Sequence, residues 1–123
     1  MGQPIVHFEI IGKDAPKLQK FYADLFDWQI APPTGPEMGF HGMVDGASSG
    51  IAGGIGQAPD GQRRVSVYVR VPSLQATLDR AVSTGGRITL PPTQIPGGPR
   101  IALFADPDGN LTSSPRLEPG DSR

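Results

Sequence analysis

Apolar and polar residues alternate at the start of the chain. Val6, Phe8 and Ile10 fall on one side of a strand, and His7, Glu9 and Ile11 on the other. After the Gly12-Lys13-Asp14 turn the period changes. Leu18, Phe21, Tyr22, Leu25 and Phe26 recur at helical spacing, which predicts a helix over Ala15 to Phe26, with Asp14 as its N-cap and a stripe that covers the Val6-Phe8-Ile10 face. Short strands are expected over Asp27 to Ala31, Met38 to Val44 and Ile51 to Ile55, with a hairpin turn over Asp45 to Gly50. The polar stretch Gln57 to Arg64 reads as a linker.

The pattern then starts again. Val65, Val67, Val69 and Val71 alternate with Ser66, Tyr68 and Arg70; Ser73 caps a second helix carrying Leu74, Leu78, Ala81 and Val82, which stops at Gly85-Gly86. Strands follow over Arg87 to Leu90, ended by Pro91-Pro92, over Ile101 to Ala105, and over Leu111 to Ser114 after the Asp106-Pro107-Asp108-Gly109-Asn110 turn. A constant offset of 59 positions links Ser66 to His7, Ser73 to Asp14, Pro91 to Pro32 and Thr93 to Thr34. A shared offset across strand, cap and Pro-Pro-Thr predicts two copies of one βαβββ unit, about 4–56 and 65–117, within a single domain spanning 1–123. The expected fold is α+β, two tandem units forming curled, half-open mixed sheets around a cavity.

Composition narrows the function. A formal net charge of -1 gives no basic footprint for nucleic acid and no polybasic patch for anionic lipid. No apolar run is long enough to span a bilayer, and the N-terminus lacks the form of a signal peptide, so a cytoplasmic protein is expected. The absence of cysteine excludes disulfides, thiolate ligands and a cysteine nucleophile. The 17 glycines and 14 prolines call for many turns and short elements.

His7, the Phe21-Tyr22 and Leu25-Phe26-Asp27-Trp28 helix end, Gly53-Gly54, Gly85-Gly86 and Phe104 to Asn110 together resemble the vicinal oxygen chelate superfamily. That superfamily includes glyoxalase I, bleomycin-resistance proteins and extradiol dioxygenases. The resemblance covers roughly Pro4 to Leu117 and is nearest to small glyoxalase-like proteins of actinobacterial type. It implies a divalent metal held from the first and last strands of each unit. Carried over residue by residue, those positions fall on His7, a residue near Gly53 or Gly54, Ser66 and Ser113. Only His7 retains a usual ligand, and serine hydroxyls are poor substitutes for imidazole and carboxylate. No metal site and no cofactor are therefore expected, unless Glu9 or His41 completes a different ligand set. The resemblance also implies a homodimer, since half-open sheets leave edges to be covered.

The mixed faces of the two opening strands are expected to line one cavity for a small molecule. His7 is the candidate general base and Glu9 its charged neighbour, with Ser66, Tyr68, Arg70 and Ser113 as ligand-binding residues. A buried Glu9 needs a partner, and Arg70 is the one expected. His41 reads as a rim histidine, Trp28 and Phe104 as core, Gly53-Gly54 as a bend, and the Pro91 to Arg100 loop as the cavity rim. Three readings follow: a metal-independent acid-base enzyme, a sequestration protein without turnover, or a metal-dependent lyase or dioxygenase.

Overall fold

The computed structural model describes residues 2–96 and 99–115. Its contacts divide the chain into two compact units, Val6–Ser66, and residues 1–5 with 67–123.

In the first unit, strand β1 (Ile5–Gly12) is followed by helix α1 (Ala15–Phe26), a 3-10 turn (Pro36–Met38), β2 (Gly42–Val44), the single-turn helix α2 (Gly46–Ser49), β3 (Gly53–Gln57) and the start of β4 (Arg64–Val69). β3 runs parallel to β1, with Phe8 opposite Gly53 and Gly12 opposite Gln57, and β2 runs antiparallel to β3. A parallel pair needs a crossover, which α1 begins. Ile10, Val44 and Ile55 form the core, with Phe8, Leu18, Tyr22, Trp28 and Ile30 packed against it.

Helix α1 starts and stops where the periodicity predicts. The Asp14 carboxylate accepts the Lys17 N–H at 3.2 Å, and Asp27 closes the helix in the left-handed conformation. Its stripe is only partly internal. Ala15 and Gln19 are buried, whereas Phe21, Leu25 and Phe26 are each more than half exposed. The five apolar positions span a wider arc than the sheet of this unit covers.

The expected strand over Asp27 to Ala31 reduces to one antiparallel bridge between Ile30 and Val44. The next is shortened because Gly39 and Phe40 both take positive φ, 67° and 50°, which breaks an extended run after the 3-10 turn. The expected hairpin turn is instead α2, capped by the Asp45 carboxylate on the Ala47 N–H at 3.0 Å.

In the second unit, β4 leads to α3 (Leu74–Ser83), β5 (Arg87–Gln94), β6 (Arg100–Ala105) and β7 (Leu111–Pro115). β7 pairs parallel with β4, β6 antiparallel with β7, and β5 antiparallel with β6. The first unit has the same internal order, Ile30, β2, β3, β1. Each unit is thus an α+β layer with a mixed sheet that stays open at its outer edge. Val71, Leu74, Leu78 and Ala102 form the core here, joined by Val69 and Phe104.

Two expectations are corrected in this unit. Pro91-Pro92 does not end β5, which continues to Gln94 with register shifts between Ile88 and Thr93. An edge strand tolerates proline because one row of its amides has no partner to lose. The first four residues of the expected rim loop are therefore strand; Gly97-Gly98 and the tail Glu118 to Arg123 lie outside the described residues. β4 also departs from a simple buried valine face, since Val65 is 74% exposed while Ser66 is buried. No helix among the described residues is long and apolar enough to cross a membrane.

Candidate functional site

The parallel register of β1 and β3 sorts the first sheet into two faces. Phe8 and Ile10, opposite Gly53 and Ile55, belong to the face packed in the core beneath α1. Glu9 and Ile11, opposite Gly54 and Gly56, belong to the other face, together with His7.

Glycine on β3 is what leaves room on that second face. A Cβ at Gly54 would overlap the His41 ring, and one at Gly56 would crowd the same ring. The His41 imidazole therefore lies over bare backbone beside Glu9. A Cβ at Gly53 would overlap the Phe8 ring, so the two glycines make space on opposite faces. The Gly-Gly pair expected to bend the sheet is a place for an imidazole on one side and a phenyl ring on the other.

The backbone around His41 is tightly held. Its N–H donates to the Thr34 hydroxyl at 2.8 Å, and its carbonyl accepts the Thr34 N–H at 2.9 Å. The preceding carbonyl, of Phe40, accepts from the Gln19 amide at 2.8 Å, and the same amide nitrogen reaches the Ile55 carbonyl at 2.7 Å. Gln19 thereby ties α1, β3 and the loop together from a buried position. The strained φ of Phe40 is kept by these bonds and by its own N–H donating to the Gly35 carbonyl at 3.1 Å.

Glu9 is 7% exposed. Arg64 Nη2 donates to its Oε1 at 2.7 Å, and His41 Nε2 stands 3.5 Å from its Oε2. The partner of Glu9 is therefore Arg64, at the start of β4, where Arg70 was expected, and His41 is a component of the site where a rim histidine was expected. Neither was legible in the sequence, because both pairings depend on chain returns that bring distant residues onto one strand face. Burial alone would raise the Glu9 carboxyl, but hydrogen bonding to His41 and the charge of Arg64 outweigh it and hold the group below its ordinary range.

His7 shares the strand face of Glu9 and is half-buried. Burial lowers its pKa; the Glu9 charge opposes this and His41 adds to it, leaving the imidazole below its ordinary value. Both shifts favour a neutral His7 imidazole on the same face as an ionised Glu9 carboxylate, whose charge Arg64 offsets.

Glu9, Ile11, His41 and Arg64 line a cavity of about 390 Å³, walled on one side by Glu37 and Met38 of the 3-10 turn. This volume lies in the small-molecule range of roughly 300–1,000 Å³. Ser66 is buried with no partner for its hydroxyl among the described residues. In the second unit, Tyr68 lies opposite Ser113 in the β4–β7 register, and Arg70 follows the end of β4, its N–H donating to the Pro4 carbonyl at 2.9 Å. Ser113 is fully buried.

The donor set at the positions implied for a metal does not fit one. It offers one imidazole, two hydroxyls and a glycine, and Glu9 is engaged by Arg64 and His41. Among the described residues no three His, Cys, Asp or Glu side chains come together in a way that could hold a metal ion.

A family model described as Glyoxalase/Bleomycin resistance protein/Dioxygenase superfamily matches residues 4–113. The chain belongs to that superfamily. Solved structures of the same fold include methylmalonyl-CoA epimerase from Mycobacterium tuberculosis, 16% identical over 94% of this chain and 88% of that one, with a TM-score of 0.68. A methylmalonyl-CoA epimerase in complex with methylmalonyl-CoA and ammonium is 18% identical over 100% of both chains, with a TM-score of 0.67. A superfamily member from Vibrio splendidus 12B01 is 14% identical over 94% of this chain and 99% of that one, with a TM-score of 0.65. At such identities the likeness speaks for the fold. No curated protein matches the chain in sequence.

Proposed function

We propose that this superfamily member binds a small molecule and moves a proton on it without a metal, with His7 as the base and Glu9 as the fixed charge beside it. The observation that carries the reading is geometric: a half-buried imidazole shares one strand face with a buried carboxylate that Arg64 and His41 hold in place, and the lowered pKa of each agrees with a neutral His7 and an ionised Glu9. Ser66, Tyr68, Arg70 and Ser113 are proposed to contact the ligand. The chain is further proposed to act in the cytoplasm as a homodimer.

The test starts with a thermal-shift screen of small metabolites in the presence of a chelator. Acyl thioesters belong in the panel, because a methylmalonyl-CoA epimerase of this fold binds one. A ligand at one hundred times its dissociation constant adds about 2.7 kcal/mol of stability, well within detection. Hits are then incubated in deuterated water and followed by NMR. Wild-type protein is expected to exchange a ligand C–H proton, and His7→Asn to bind without exchanging. Exchange that requires added nickel, zinc or iron would overturn the metal-free reading. Tight binding with no exchange, unaffected by His7→Asn and lost in Tyr68→Ala, would instead assign the protein to sequestration.

A further inference from the structure

The first unit holds a second, larger cavity of about 600 Å³, which shares Ile11 and Arg64 with the first but is lined by neither His7 nor Glu9. Ile11, Leu18, Phe21 and Val65 form its apolar wall. Phe21 and Val65 are 56% and 74% exposed, an unusual loss of burial for residues of this kind. The same wall carries Lys13, Lys17 and Arg63, which are exposed and form no ion pair among the described residues. The acid beside them, Asp14, is engaged in capping α1, and the remaining cation, Arg64, is engaged by Glu9.

An apolar trough bordered by three cations free of ion pairs among the described residues and by one carboxylate, an excess of positive charge, complements a ligand that is apolar at one end and anionic at the other. Lysine stems can lie along such a wall while their ammonium groups reach the head group. A second copy of this chain is a poorer occupant. A second copy seated with the two-fold axis at the trough would bring the cationic border of one copy against that of the other, and like charges facing one another are unfavourable.

We propose that this trough is a binding site for a single small amphiphilic anion, such as an aliphatic or aromatic carboxylate, independent of any chemistry at His7. The probe is 8-anilinonaphthalene-1-sulfonate, an aromatic anion whose fluorescence rises in apolar surroundings. It is expected to bind the intact protein saturably with one site per chain, and decanoate is expected to displace it at concentrations about tenfold or more below those needed with decyltrimethylammonium. Val65→Glu and the Lys13→Glu/Lys17→Glu pair alter exposed side chains, and each is expected to weaken binding by about tenfold while leaving the circular dichroism unchanged. Equal displacement by anion and cation, or binding indifferent to both variants, would overturn the proposal. So would a light-scattering mass that falls from dimer to monomer in Phe21→Glu with no probe bound to the wild type, which assigns the trough to a second copy. Sedimentation of the protein with anionic phosphatidylglycerol vesicles, in the absence of any displacement by free decanoate, would overturn it in favour of a lipid surface.

Discussion

Glu9 shows how much one buried charge depends on its partners. Removing one partner of a buried pair typically costs about 3–5 kcal/mol, because an uncompensated charge remains. Arg64 is partly exposed, so Arg64→Met is expected to cost less, about 2 kcal/mol in urea denaturation, and Glu9→Gln in that background to recover part of the loss. A double variant no more stable than Arg64→Met alone would show that Arg64 does not compensate Glu9. The glycine under His41 gives a second prediction. Gly54→Ala puts a methyl group where the imidazole sits, so the ring must leave Glu9. The NMR chemical shifts of the His41 ring are expected to move in this variant, with a stability loss of about 1–3 kcal/mol; unmoved ring shifts would remove the glycine from this role. Protonation adds a third. His7 and Glu9 both have depressed values in the folded protein, so the unfolded chain binds their protons more readily. Their stabilisation is full above the ordinary histidine value of 6.5 and is lost as the pH falls, first through His7 and then through Glu9. Denaturation at about pH 7.5 and pH 5 should show a drop in the wild type and a smaller one in His7→Asn. Equal drops in both proteins would place the titrating group elsewhere.

At the scale of elements, the two longer helices, α1 and α3, were the most legible parts of the chain, because their signals are local. Asp14 and Ser73 each cap the helix that follows with a side-chain oxygen. Asp14→Ala is expected to lower stability by about 1 kcal/mol in the same denaturation assay. A loss below a few tenths of a kcal/mol would mean that the α1 cap is redundant. Strands were less legible. Positive φ at Gly39 and Phe40 shortened β2, and β5 ran through two prolines that usually end a strand. The φ of Phe40 could not be read locally, since a bulky residue adopts it only where long-range bonds from Gln19 and Gly35 hold it. The β5 reading failed for the opposite reason: proline is costly only where its missing amide was needed, and edge position is a property of the sheet.

For the whole molecule, the two units repeat one pairing order even though their side chains differ. Each packs its core between a single helix and one sheet face. What the repeat does not copy is the polar chemistry. The first unit carries the Glu9, His41 and Arg64 cluster, while the second sets Tyr68 opposite Ser113. The proposed homodimer belongs to this scale and is checked by light scattering at micromolar concentration, where a mass of twice the 13.0 kDa chain is expected. A monomer mass throughout that range would remove it.

The sequence by itself determined helices α1 and α3 and their caps, the β1 alternation that separates an apolar face from one bearing His7 and Glu9, and the superfamily. These rest on residue spacings within one element, or on the order of motifs along the chain, so they survive without knowledge of packing. Tertiary structure alone decided which cation meets Glu9, why His41 has a place beside it, and that the apolar stripe of α1 is left half in the open. Those are contacts between residues up to 55 positions apart, as with Glu9 and Arg64. Strand register and loop closure choose such partners from among several chemically equivalent ones, and neither leaves a mark in the local pattern.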